Sequence, residues 1–249
     1  MAKPTMEERM AAYEKKAQRA LDYAEISNVF ALHEYYHHVP TKEFDMIFAQ
    51  EQPDVSFGQN NGMWVGKDRV RNNYVGSTKE QLQKKLDVLR KWHPDIPNDI
   101  KYALSGEAGF HMLTTPLIEI AEDGETAKGM WYTPGFLTMF NEKTGKWNCV
   151  WMYEKYAIDF IKEHGKWKIW HFNALCDWST PYEKSWVESS EERRLNPGGD
   201  FMMLNDKRDL PGLGTENYST RRTQPNDYIK PPEPYRTFSE TFTYGPPRK

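Results

Sequence analysis

The stretch of residues 147–173 most constrains the fold, because it predicts two long strands joined by a tight turn at residues 163–166. In a strand, every second side chain points to the same face. By that rule one face of the hairpin is mostly large and apolar, yet it also carries Glu154, His171 and Asn173. An apolar sheet face that holds a carboxylate, an imidazole and an amide is typical of a small-molecule site.

The remaining patterns predict an α+β fold. Apolar residues at helical spacing indicate a long N-terminal helix over residues 6–38, which ends before Pro40, and a second helix over residues 77–91. Strands are predicted at residues 111–121, 126–140, 148–162 and 166–176, and the short polar connections between them imply antiparallel neighbours. We therefore expect a cone-shaped barrel in which a curved antiparallel sheet wraps around the long helix.

The composition changes at Glu183, where proline and glycine become frequent while aromatic residues persist. Such a segment cannot form a second core, but it is too apolar for an ordinary free tail. We predict a domain over residues 1–182 and an extended arm over residues 183–249. The arm would pack on its own domain or on a neighbouring subunit, and disorder is the alternative.

Charge and hydropathy exclude several classes of partner. The 249 residues carry a formal net charge of −3, which provides no electrostatic reason to expect nucleic acid. No apolar stretch approaches the about 20 residues that a membrane-spanning helix needs. The start of the chain lacks the apolar segment of a secretory signal, and Cys149 and Cys176 are the only cysteines. We expect a cytoplasmic protein with free thiols, and a disulfide between these two is the alternative.

The local motifs leave acid–base chemistry without a cofactor as the main hypothesis. Glycine-rich nucleotide loops, Cys-x-x-Cys and the Gly-x-Ser-x-Gly nucleophile turn do not occur. Residues 33–37 read H-E-x-x-H, a spacing that holds zinc when it lies within a continuing helix. Here Pro40 ends the helix almost at once, so we expect no metal. A metal site that uses His33, His37 and the distant His111 remains the alternative.

Several segments together resemble a known family. The pattern Tyr156…Gly165-x-Trp167-x-Ile169 is similar to the last hairpin of the nuclear transport factor 2-like superfamily, in its SnoaL-like branch. Upstream, the matching segments follow in order: the helix ending in Tyr36, the F-D-x-I-F-A segment 44–49 before strand 55–57, Gly66-x-x-x-Val70, and the strand pair 116–119 and 127–131. The resemblance covers residues 12–177 and implies the same cone-shaped fold.

The resemblance also implies site residues. In scytalone dehydratase, an enzyme of this branch, a Tyr-Asp pair at the end of the first helix and a histidine that opens a strand act in a closed, metal-free cavity. Tyr36 and His111 match that tyrosine and that histidine, while His37 stands where the aspartate is expected. A neutral imidazole can act as a base, but it cannot supply the fixed negative charge of a carboxylate. For each of the three residues, an ordinary structural role is the alternative.

These residues lead to a functional hypothesis. Glu154, on an apolar strand face, is predicted as a second proton carrier, unless a bulge turns it outward. The expected substrate-binding residues are Trp131, Tyr156, His171, Asn173, Phe57 and Trp64. We expect a cofactor-independent lyase that eliminates water or a small carbonyl fragment, such as formaldehyde, from a hydroxylated aromatic or polycyclic substrate. A non-catalytic binding or assembly module is the alternative.

Because an open sheet and an aromatic arm both need a cover, we also expect a homodimer or homotrimer.

Overall fold

The computed structural model describes residues 3–36, 46–75, 78–195, 207–212, 218–221, 223 and 229–248. It confirms the α+β fold. The elements in chain order are α1 (Met6–Tyr36), β1 (Ser56–Gln59), β2 (Gly62–Val65), α2 (Lys67–Val70) with a π-helical turn (Arg71–Val75), α3 (Lys79–Trp92), β3 (Ala108–His111), β4 (Thr114–Ile120), β5 (Thr126–Asn141), β6 (Lys146–Glu163), β7 (Lys166–Pro181) and α4 (Trp186–Leu195). Short 3₁₀ turns lie at Ile100–Tyr102 and Phe238–Glu240.

The strands form one curved sheet in the order β2-β1-β7-β6-β5-β3, with β4 also paired to β5. The hairpin of β6 and β7 turns at His164 and Gly165. Both residues have positive φ angles, 52° and 73°, as the tight two-residue turns of β-hairpins require. The sheet is mixed rather than antiparallel throughout, because β1 runs parallel to β7. A long connection separates β1 from its partner in the sequence, and only such connections allow parallel pairing.

The long helix α1 packs on the inner face of the sheet through its C-terminal half. Its buried residues, Asp22, Ile26, Phe30 and His33, recur at helical spacing and form one side of the helix. The aromatic ring of Phe30 lies 4.3 Å from that of Trp131, centroid to centroid, at the centre of the main core. None of the described helices is both long and apolar enough to cross a membrane.

Three predicted boundaries differ clearly from the structure. Strand β7 continues to Pro181 instead of ending at Cys176. Helix α3 begins at Lys79, because Thr78 and Gln81 form a reciprocal capping box. The predicted strand 111–121 is two strands, and His111 ends the first instead of opening the second. The pairing of β4 with β5 is irregular between Thr114 and Leu117, where Pro116 cannot donate a ladder hydrogen bond.

The described parts of the C-terminal region lie on the domain. Residues 207–212 border the outermost strand, where Leu210 bridges to Met63 of β2. Residues 229–248 cross the outer face of the sheet, where Ile229 and Tyr244 join Ala157 and Leu175 in a second apolar cluster. Both cysteines, Cys149 and Cys176, are free and half-buried.

Candidate active site

A chain of polar side chains lies on the inner face of the sheet, between α1 and strands β3 and β6. The Nε2 atom of His111 is 3.4 Å from a carboxylate oxygen of Glu154, and its Nδ1 atom is 4.0 Å from a carboxylate oxygen of Glu34. The side chains of His111 and Glu154 are about 4–5% exposed, so this group is almost out of water. A buried imidazole between two carboxylates is well suited to carry a proton, because either carboxylate stabilises its charged form.

Glu34 also contacts a second histidine. The other carboxylate oxygen of Glu34 lies 3.0 Å from Nδ1 of His33, and Nε2 of His33 lies 2.6 Å from the hydroxyl of Tyr74. An ionised carboxylate can only accept, so this arrangement places the ring proton on Nδ1 and makes Nε2 the acceptor of the Tyr74 hydroxyl. Glu34 therefore links the two imidazoles into one network that runs from Tyr74 to Glu154.

Two tyrosine hydroxyls belong to this network and keep their protons. Burial, followed by the nearby charge of the two glutamates, raises the pKa of Tyr74 and that of Tyr156 well above the ordinary value. The Tyr156 hydroxyl is also hydrogen-bonded to Glu154. At neutral pH both phenols are therefore hydrogen-bond donors.

Aromatic rings surround the polar chain. The ring of Tyr74 stacks on that of Phe57 at 3.5 Å, centroid to centroid, and the ring of Phe57 stacks in turn on that of Trp64. Trp131 and Tyr156 are almost fully buried. The indole of Trp131 lies over Gly129, where an added Cβ would come within 2.3 Å of it. The indole therefore fills the space beside Gly129.

Another glycine places His111. A Cβ on Gly135 of β5 would lie 2.3 Å from the carbonyl oxygen of Phe110 and 2.6 Å from the His111 ring. Only glycine lets β3 approach β5 this closely with the imidazole turned inward.

The predicted catalytic residues have different outcomes. His111 and Glu154 lie together, as described above, and Glu154 faces inward while Lys155 faces outward to Asp177 at 2.7 Å. Tyr36 is half-buried and packs against the main core. His37 lies outside the described residues.

The prediction that His171 and Asn173 face inward is wrong. Asp159 pairs with His171 but Phe160 pairs with Ile169, so Trp170 is an extra residue in β7. This bulge inverts the alternation. Trp167 and Ile169 face the core before it, Phe172 and Ala174 face the core after it, and His171 and Asn173 point to the outer face.

On the outer face, His171 belongs to a second buried cluster. The carboxylate of Asp159 accepts hydrogen bonds from His171, from the hydroxyl of Thr243 and from the backbone N–H of Tyr244, each at 2.8 Å. Its other oxygen is 2.5 Å from the ammonium group of Lys128. Four rings of the C-terminal segment lie 4.5–5.8 Å from that ammonium group: those of Phe242, Phe238, Tyr244 and Tyr235. These contacts hold the C-terminal segment on the sheet.

Sequence reasoning missed three members of the inner network. Glu34 and His33 drew attention only as parts of a zinc-type motif, although His33 lies at helical spacing from Ile26 and Phe30 and was therefore predictable as an inward residue. Tyr74 lies in the π-helical turn after α2, and nothing in the local sequence marks it. Within the described part of the chain, no group of three or more His, Cys, Asp or Glu residues has the geometry of a metal site.

The sequence matches the SnoaL-like domain family over residues 18–173, more than half of the chain. The protein belongs to the SnoaL-like family. A search of curated proteins finds no match. This SnoaL-like chain is also similar to solved structures of the nuclear transport factor 2-like fold, though at low sequence identity.

Three solved structures illustrate the likeness. One is named as a candidate scytalone dehydratase from Novosphingobium aromaticivorans, at 12% identity and a TM-score of 0.47, covering 68% of this chain and 93% of that one. A hexachlorocyclohexane dehydrochlorinase has 12% identity and a TM-score of 0.44, with 67% and 92% covered. A nuclear transport factor 2-like protein from Salmonella enterica has 13% identity and a TM-score of 0.43, with 63% and 91% covered. None of them is similar enough in sequence to transfer a reaction to this chain.

Proposed function

We propose that this protein is a cofactor-independent lyase that works by acid–base catalysis at the inner network. Its substrate would be a hydroxylated aromatic or polycyclic compound, from which it eliminates water or a small carbonyl fragment such as formaldehyde. The observation that carries the proposal is the imidazole of His111, buried between the carboxylates of Glu34 and Glu154 and bordered by aromatic rings. Apolar walls suit a ring-bearing substrate, and the ionisable groups suit proton transfer.

The chemistry assigns a role to each group. His111 removes a proton from the substrate, and the charge of Glu34 and Glu154 stabilises the imidazolium that forms. In a dehydration the proton comes from carbon, its electron pair forms the double bond, and the hydroxyl leaves with a proton returned by the network. In a carbon–carbon cleavage the proton comes from a hydroxyl, the carbonyl fragment departs, and the remaining carbanion takes the proton back.

Protonated phenols complete the proposed mechanism. Because their pKa values are raised, Tyr74 and Tyr156 keep their protons. Each can turn its one O–H from its present partner, His33 or Glu154, to a substrate oxygen where negative charge develops. Tyr36, in the last turn of α1, is proposed as a further donor. A neutral donor in a dry site is most effective when the charge appears only in the transition state.

A direct test is to incubate the purified protein with a panel of hydroxylated aromatic compounds and steroids, without added cofactor and after exhaustive chelation. We expect mass spectrometry to show a product that has lost water or formaldehyde, and we expect no product with Glu154→Gln. Activity that disappears on chelation and returns with zinc or iron would instead support the metal site with His33 and His37. Tight binding without turnover across the panel would support the non-catalytic binding module.

A further inference from the structure

The N-terminal half of α1 projects beyond the buried face of the helix. Every residue from 5 to 21 is exposed, although Arg19 still reaches the sheet, where it donates to the carbonyl oxygen of Ile120 at 2.6 Å and pairs with Glu119 at 3.1 Å. The buried residues of the helix begin at Asp22. The projecting part nevertheless has a well-formed start. The backbone N–H of Thr5 donates to the Glu8 carboxylate at 2.6 Å, and the backbone N–H of Glu8 donates to the Thr5 hydroxyl at 3.2 Å. The projecting part buries no side chain on its own domain, so packing against another molecule would stabilise it.

Exposed apolar residues run along this helix at alternating intervals of four and three. We name this set the outer stripe: Met6, Met10, Tyr13, Ala17, Ala20 and Ala24. Its large members are well exposed, at 69% for Met6, 52% for Met10 and 57% for Tyr13. The spacing is that of a coiled-coil seam.

The outer stripe lies on the side of α1 opposite the face that packs on the domain. Ala24 is two residues from Asp22 and two from Ile26, which at about 100° per residue places it about 200° around the helix from each. A second helix can therefore pack on the outer stripe without meeting the domain.

The charges beside the outer stripe select the partner and its direction. In the heptad that the stripe defines, Glu7 and Glu14 occupy the e positions, and Arg9 and Lys16 occupy the g positions. In a parallel pair of identical helices, the g position of one copy faces the e position of the other copy in the next heptad. Arg9 of each copy therefore faces Glu14 of the other copy. In an antiparallel pair, e would face e and g would face g, which places like charges together.

We propose that α1 pairs with the α1 of a second copy of this chain, through the outer stripe, as a parallel, in-register coiled coil. The small residues Ala17, Ala20 and Ala24 let the two helices approach closely near the domains, while Met6, Met10 and Tyr13 fill the far end of the seam. This interface does not depend on the reaction proposed above.

Charge reversal tests the interface by sedimentation equilibrium at low salt. Arg9→Glu alone places a second carboxylate against Glu14 in both pairs, and Glu14→Arg alone places a second guanidinium group against Arg9. We expect each variant to dimerise about 10-fold more weakly, because like charges face each other across the seam. An equimolar mixture of the two variants should recover wild-type association as a heterodimer. Lys15→Glu, on the anchored side of the helix, is the matched control and should dimerise normally.

A cross-link tests the register. In a Cys149→Ser, Cys176→Ser background, Met10→Cys should oxidise rapidly to a dimer linked through position 10, whereas Lys15→Cys on the opposite side should not. Three results would each overturn the proposal: a monomer at all concentrations, a species of three or more copies, or a dimer insensitive to both charge reversals and not linked through position 10.

Discussion

At the residue scale, the inner network depends on close approach between strands. His111 has its imidazole between two carboxylates because β3 runs close against Gly135 of β5, and Glu154 comes opposite from β6. Its neighbour Phe110 points to the other face and is 61% exposed. This alternation offers a matched pair of positions for mutation.

For His111→Ala we expect kcat to fall about 10²–10⁴-fold, the usual contribution of general acid–base catalysis, with a much smaller change in substrate binding. Steady-state kinetics on the substrate found by the panel measures it. Phe110→Ala removes a larger side chain from the same strand and should leave kcat unchanged. A folded His111→Ala variant with near-normal turnover would remove His111 from the mechanism.

Gly135→Ala tests the position of the imidazole without changing its chemistry. The new Cβ would meet the Phe110 carbonyl and the His111 ring, so the ring must move. A displacement of about 1 Å at a catalytic group can cost about 10²-fold in rate, and we expect a loss of that order in kcat. Gly124→Ala, in an exposed turn with φ of 75° and open space around it, is the control. It should lower stability by about 1 kcal/mol and leave kcat intact.

At the element scale, strands β5, β6 and β7 carry a different polar cluster on each face. Tyr156 and Glu154 face the core from β6, while Asp159 on the same strand faces outward to Lys128, His171 and the C-terminal segment. Burial alone would raise the pKa of Asp159, but its hydrogen bond with His171 and the charge of Lys128 outweigh this and lower it. Asp159 is thus ionised and lies where the C-terminal segment docks on the sheet.

Asp159→Asn should destabilise the protein by about 3–5 kcal/mol, because it leaves the buried ammonium group of Lys128 without its counter-ion. Chemical denaturation measures the loss, and limited proteolysis should show cleavage within residues 229–248 at lower protease concentration. Asp209→Asn breaks the exposed pair with Arg69 and should cost at most about 1 kcal/mol. Equal effects for the two variants would contradict this role for Asp159.

At the scale of the whole molecule, the outer cluster makes stability depend on pH. Burial lowers the pKa of His171, but Asp159 and Asp54 outweigh it and raise the value above 6.5, while that of Asp159 is lowered below 3.8. A raised histidine pKa contributes stability that is complete below about 6.5 and is lost as pH rises through the folded-state value. A lowered carboxyl pKa contributes stability that is present above about 3.8 and is lost as pH falls through the folded-state value.

We therefore expect the free energy of unfolding to decline as pH rises above about 6.5, through the raised folded-state pKa of His171. His171→Gln should remove most of that decline, whereas His164→Gln, at an exposed position in the β6–β7 turn, should preserve it. Denaturant titrations at several pH values, with all three proteins at one ionic strength, measure the difference. A slope that is the same in His171→Gln and in the wild type would place the pH dependence elsewhere.

The sequence by itself determined the class of fold, the long β6–β7 hairpin with its tight turn, and the inward direction of Glu154, because strand and helix periodicities are local properties. It also marked His111 through family resemblance. Local periodicity could not reveal Trp170 as a bulge, so His171 and Asn173 were placed on the wrong face. Only the tertiary structure decided which distant groups meet. Tyr74, Glu34 and His33 join His111 because α1 packs across the sheet, a contact between segments far apart in the chain.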